Sequence, residues 1–239
     1  MMKAICRDGG RINDFSGMYC KMAMNSFYCA SKFYEEIKNS DFAYEKFDDE
    51  EELKKWSVST IVFSALSLEA FFNNYIASVF GDEKYNNVYD SLPPQSKFQL
   101  IADFIFKVKI DKSKSYYGGL VELFRARNNY VHCKSESAKK YMSYDVISMD
   151  ENEAAERLEY IPSEPPKLDK GAIDSDIRGA LNALKAVRDV ARFFDENDSN
   201  CYAMVHLFSE CNFEQCSRYE QEFMEFVFHK LGIKKRGSI

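Results

Sequence analysis

The stretch Val58–Phe80 constrains this chain more than any other. It runs for 23 residues with a single charged side chain, Glu69, and is further broken by Asn73, Asn74 and several serines. An apolar run of that length is long enough to cross a bilayer. A carboxylate and two amides near its middle instead favour a helix buried inside a protein. Just upstream, Asp48–Glu52 places five acids where they complement the positive end of a helix dipole, and Gly81 supplies a stop. The expected element is one helix from the acidic run to about Phe80. At 1.5 Å per residue it extends up to about 45 Å and forms the central column of a bundle. Glu69 lies between Leu68 and Ala70-Phe71-Phe72, where an unpaired carboxylate is costly. It either falls on a narrow exposed edge or pairs with an arginine, for which Arg127 is the candidate.

The rest of the chain agrees with helices. Proline (5) and glycine (10) are too scarce among 239 residues for a turn-rich β fold, and 20 Phe with 15 Tyr supply a core. Residues 16–38 read as a helix with Met18, Met22, Cys29, Phe33 and Ile37 at helical spacing and Tyr19, Ala23, Phe27, Ala30 and Tyr34 alongside, a broad apolar arc covered on two sides, the methionines filling gaps in packing. Pro93-Pro94 marks a turn before a helix at about Gln95–Lys107, and Lys109–Ser115 is a polar loop. The next helix starts near Gly118-Gly119 and ends near His132–Lys134. A further helix spans Asp174–Asp195, capped by Asp174 or Ser175. Its buried stripe is Ile177, Leu181, Leu184, Val187, Val190 and Phe194. Its other face carries Arg178, Lys185, Arg188 and Arg192, either a solvated face or a guide for a polyanion. A last helix at about Asn212–Leu231 begins with Asn212 and Gln215 in capping-box spacing and ends at Gly232.

These elements make an all-α antiparallel helical bundle over residues 1–195. Within it lies an irregular excursion at 135–172, with either a short strand pair or a small helix at Asn152–Glu159, and Pro162, Pro165 and Pro166 forbid a helix where they stand. Residues 196–239 form a C-terminal helical extension. The formal net charge of −6 argues against a protein that coats long duplex nucleic acid, so any such contact is local. Seven cysteines without a Cys-x-x-Cys point to reduced thiols in a cytoplasm rather than to zinc or a disulfide framework. Residues 1–15 do not read as a signal peptide, and no membrane association is expected. His206 and His229 read as structural. No Gly-rich phosphate loop or Gly-x-Ser-x-Gly elbow occurs, and no cofactor or metal is expected.

The chemistry concentrates in Glu122–His132, Glu-Leu-Phe-Arg-Ala-Arg-Asn-Asn-Tyr-Val-His. Leu120, Val121, Phe124 and Val131 give this helix an apolar side. Arg125, Asn128 and His132 form a polar stripe, and Arg127 lies on its flank. Arg127 and His132 are about 140° apart around one helix, but two copies across a twofold axis can bring both pairs into one cleft. In such a cleft His132 gives or takes a proton near neutrality. Arg127 holds phosphate oxygens, and Asn128 orients the imidazole or binds a phosphate oxygen. With the RNA 2′-hydroxyl as internal nucleophile, that set can cleave RNA without a metal.

Arg127-Asn128-Asn129-Tyr130-Val131-His132 resembles the Arg-x(4–6)-His motif of HEPN domains (higher eukaryotes and prokaryotes nucleotide-binding), in which a polar residue, often Asn, follows the arginine. Ala65-Leu-Ser-Leu-Glu69-Ala-Phe-Phe-Asn73 is similar, more loosely, to the second core helix of these domains. The resemblance covers about residues 16–195. It implies a homodimer with a metal-independent endoribonuclease site at the dimer interface, Arg127 and His132 catalytic and Asn128 supporting; Glu69 supports the same site through its expected pair with Arg127. Many members act as toxins or in antiphage defence, sometimes beside a nucleotidyltransferase antitoxin. Members without the motif serve as non-catalytic nucleotide- or RNA-binding modules or scaffolds.

Overall fold

The computed structural model describes residues 15–39, 47–131, 170–208 and 217–233. Among them are eight helices and no strand: α1 (Ser16–Lys38), α2 (Phe47–Phe80), α3 (Asp82–Lys84), α4 (Pro94–Leu100), α5 (Ser115–Val131), α6 (Lys170–Asn197), α7 (Ala203–Phe208) and α8 (Arg218–Leu231). α3 and α4 each run on into a wider π-helical turn, Tyr85–Tyr89 and Ile101–Phe106. No helix among the described residues is long and apolar enough to cross a membrane.

α2 is the column around which the others stand. Asp48, Asp49 and Glu50 occupy its first turn, and Gly81 ends it with φ +88°, a conformation open to glycine. It packs on α1, α4, α5 and α6. α1 runs antiparallel to it, since Tyr19 stacks on Phe63 while Ala30 and Ile37 share a cluster with Leu53. The serines that interrupt α2 have a packing role. Ser57, Thr60, Ser64 and Ser67 are buried, as are Ala23, Ser26 and Ala30 of α1, and small side chains on both helices permit close approach. Thr60 and Ser67 donate their hydroxyls to the carbonyls of Trp56 and Ser64, so these two are satisfied within the helix, whereas the Ser57 and Ser64 hydroxyls are buried without a hydrogen-bond partner among the described residues.

The core is aromatic where α2, α4 and α6 meet. Phe194 lies edge-on to Phe71 (4.8 Å between ring centroids) and Tyr75 (5.1 Å), and it also meets Phe72, Phe98 and Phe106. α5 runs antiparallel to α6: Tyr116 packs on Phe193, and a Cβ on Gly119 would come within 3.2 Å of the Ala186 Cβ. The C-terminal helices join this core through Leu207, Phe208, Phe223, Met224, Val227, Phe228 and Leu231.

Several sequence expectations need correction. Met18 and Met22 are exposed (47% and 39%); the buried face of α1 keeps the expected Ala23, Phe27, Ala30 and Ile37 and adds Cys20, Met24 and Tyr28. The apolar arc is broad enough to admit two faces, and packing on α2 and α8 selects the second. α6 begins at Lys170, so Asp174 and Ser175 lie inside the helix rather than at its cap. Asp174 instead accepts a hydrogen bond from the Tyr34 hydroxyl at 2.8 Å. The cap observed on α8 is Ser217, with Glu220 completing a capping box; Asn212 and Gln215 lie outside the described residues. Gly232 does follow that helix at φ 64°. α3 and α7 are additions that the sequence pattern does not announce. Val131 is 52% exposed, and the buried side of α5 is Leu120, Leu123 and Phe124. His206 has a partner, since its Nε2 lies 2.8 Å from the Ser16 hydroxyl. The 135–172 excursion falls outside the described residues up to 169.

Candidate functional site

Position 69 of α2 faces α5, and the structure joins it to the motif. Arg127 donates from Nη2 to Glu69 Oε2 at 2.9 Å. Its Nη1 donates to Asn128 Oδ1, also at 2.9 Å. The guanidinium is therefore held from two sides, by a carboxylate of α2 and an amide of its own helix. Neither charge is deeply buried: the side chains of Arg127 and Glu69 are 21% and 28% exposed. Two of the five guanidinium N–H groups are used in these bonds, leaving a charge that is oriented yet reachable. Arg125, by contrast, points to solvent and pairs with Glu122 at 2.8 Å. Helical spacing explains the split. Arg127 continues the inward line of Leu120, Leu123 and Phe124, whereas Arg125 lies on the outer face.

One turn along α2 from Glu69, Asn73 takes part in a second network that sequence reasoning missed. Lys97 of α4 is 2% exposed. Its Nζ donates to Asn73 Oδ1 at 2.7 Å, to the Asp90 carbonyl at 2.9 Å and to the Tyr85 hydroxyl at 3.4 Å. The Tyr85 hydroxyl in turn donates to Asp90 Oδ1 at 2.9 Å. The three ammonium protons thus have three acceptors, which is what a buried cation requires. Burial holds the Lys97 pKa below the usual lysine range, while the carboxylates of Asp90 and Glu69 pull it back up. Glu69 thus acts on two cations, on Arg127 by direct contact and on Lys97 through its field. The only sequence signal is Asn73, a polar interruption of α2. A lysine in an amphipathic helix otherwise reads as surface.

The end of α5 carries more polar groups. Asn128, Asn129 and Tyr130 are exposed. The Tyr130 pKa is raised, first by the desolvation of its partial burial and then by Asp176 of α6. Asp176 is itself raised by burial, an effect that Lys54 of α2 opposes. His132 follows Val131 in the chain and lies outside the described residues. The structure therefore brings together Arg127, Asn128 and Glu69 of the anticipated set.

Two cavities lie elsewhere. One of about 760 Å³ sits between α1, α6 and α8 over Phe27, Tyr28, Leu181 and Phe226. The other, about 510 Å³, follows small residues of α5 and α6, among them Gly119, Ala126, Gly179 and Ala183. Arg127 and Glu69 line neither. No family model, curated protein or solved structure matches the chain.

Proposed function

We propose that this chain is a metal-independent endoribonuclease of HEPN type that acts as a homodimer in a toxin or antiphage role. The observation that carries the reading is the Arg127–Glu69 pair at 2.9 Å, with Asn128 on the other side of the same guanidinium. A guanidinium fixed in this way presents its remaining N–H groups to a phosphate with little further loss of side-chain freedom. His132, five residues on, is the proton-transfer group in this reading. The RNA 2′-oxygen attacks the adjacent phosphorus and the P–O5′ bond breaks, leaving a 2′,3′-cyclic phosphate and a 5′-hydroxyl. One proton leaves the 2′-hydroxyl and one reaches the departing 5′-oxygen. The two His132 side chains of the dimer serve these transfers. Arg127 stabilises the charge that builds on the phosphate oxygens.

The test is cleavage of mixed cellular RNA in EDTA by the wild type, His132→Ala and Arg127→Ala, each checked for folding by circular dichroism. The wild type should cut, and each variant should lose about a hundredfold or more in rate. Folded wild type that binds RNA without cutting it would make the chain a binding module instead.

A further inference from the structure

The most concentrated positive charge among the described residues lies in the loop between the π-helical turn at 101–106 and α5. Residues 107–114 read Lys-Val-Lys-Ile-Asp-Lys-Ser-Lys, so Lys107, Lys109, Lys112 and Lys114 stand against one acid, Asp111. This happens in a chain whose formal net charge is −6. All four lysines are exposed, and none makes an ion pair with a described residue. Asp111 is occupied with the turn itself. Its Oδ1 accepts from the backbone N–H of Ser113 at 2.9 Å and from the Ser113 hydroxyl at 2.6 Å, and its own N–H donates to the Tyr116 hydroxyl at 3.0 Å.

The loop is anchored. Ile110 is buried and Val108 packs partly against the core, while Lys107 and Lys109 are exposed. Lys107 adopts φ 58°, which ends the π-helical turn, and the Val108 N–H closes on the Ala102 carbonyl at 2.9 Å. Lys112 Nζ sits 5.7 Å from the centre of the Tyr117 ring. Three residues before Lys107 in the chain stands Phe104. At 70% exposure it is the most exposed large hydrophobic side chain among the described residues. Asp103, its neighbour, accepts from Gln99 Nε2 at 2.7 Å.

We propose that Phe104 and the lysines of the 107–114 loop form a docking surface for single-stranded RNA, the lysines on successive phosphates and Phe104 on a base. Charge complementarity names a polyanion, and an open aromatic ring three residues before the first of the cations fits unpaired bases, whose π faces are free to stack. A duplex keeps those faces covered. The surface is separate from the Arg127–Glu69 pair. Arg127 lies 12 residues beyond Ser115 on α5, roughly 18 Å along the helix axis at 1.5 Å per residue. The surface thus holds the strand several nucleotides away from the pair. The inference takes from the preceding proposal only that the partner is RNA, and binding is measured without turnover so that the two can fail separately.

The experiment uses full-length His132→Ala protein and a short fluorescein-labelled single-stranded RNA, with fluorescence anisotropy read over a range of salt. Lys107→Glu with Lys109→Glu, and separately Lys112→Glu with Lys114→Glu, should each weaken binding about tenfold or more at moderate salt. Each should also flatten the log–log salt slope by about 0.7 for every phosphate that is no longer neutralised. Phe104→Ala should weaken binding about fivefold or more while leaving that slope unchanged. Lys38→Glu with Lys230→Glu changes the net charge equally far from the loop and should leave binding intact. Circular dichroism confirms that each variant is folded. Unchanged affinity in both loop variants, an equal loss in the Lys38/Lys230 control, equal affinity for duplex RNA, or displacement by polyglutamate as readily as by unlabelled RNA would each overturn the proposal.

Discussion

Two cations reach the same face of α2 and are held in opposite ways. Lys97 is sealed, 2% exposed, with three acceptors for its three protons. Arg127 stands at a rim, its side chain 21% exposed, with two donors committed to Glu69 and Asn128. Their anchors on α2, Asn73 and Glu69, are four residues apart. The difference separates a structural charge from an available one. A buried cation with every proton placed holds segments together, here α4 and the 85–90 turn against α2. A cation that is oriented but unsaturated can meet a ligand.

That contrast can be broken most sharply by removing each cation. Arg127→Ala should cost about a hundredfold or more in RNA cleavage while thermal unfolding moves little. A large drop in melting temperature with activity retained would reverse the roles. Lys97→Met preserves much of the apolar stem but leaves Asn73 and the Asp90 carbonyl without their donor. Chemical denaturation should show a loss of about 2 kcal/mol. The same variant carries a pH signature. Because burial lowers the Lys97 pKa, the folded chain releases this proton before the unfolded chain does. Wild-type stability should therefore gain a rising contribution from the lowered Lys97 value up to about pH 10.4, and that contribution should be absent in Lys97→Met. Identical pH profiles for the two proteins would remove Lys97 from the account.

Smaller effects refine the comparison. Glu69→Gln keeps a hydrogen-bond acceptor for Arg127 but removes the charge that Arg127 and Lys97 share. Cleavage should fall about tenfold through looser orientation of the guanidinium, with stability changed by about 1 kcal/mol or less. No change in either would make Glu69 a bystander. Arg125→Ala should be nearly silent, within about 0.5 kcal/mol, because its pair with Glu122 is solvent-exposed on both sides. A strong effect on cleavage would show that the outer face of α5 also meets the substrate.

The sequence disclosed the parts of this molecule that local pattern controls. The bounds of α1, the stop at Gly81 and the stripe Leu184, Val187, Val190 and Phe194 follow from periodicity and chain-ending glycine. The Glu69–Arg127 pair was legible for a different reason: a carboxylate in an apolar run demands either an exposed edge or a partner, and Arg127 was the candidate. Lys97 was not legible, because its acceptors come from residues 73, 85 and 90, which only the tertiary fold gathers. Met18 and Met22 misled because a broad apolar arc does not say which of its faces is covered. α7 is a helix of six residues, too short to show a period.

The most direct test of the central claim is cleavage, in EDTA, of one RNA oligonucleotide and of the same oligonucleotide with a 2′-deoxy residue at the cut position. The account requires the RNA to be cut to a 2′,3′-cyclic phosphate and a 5′-hydroxyl, and the deoxy-substituted strand to survive at that position. Cleavage of both at the same rate, or of the RNA only when divalent metal is restored, would contradict it.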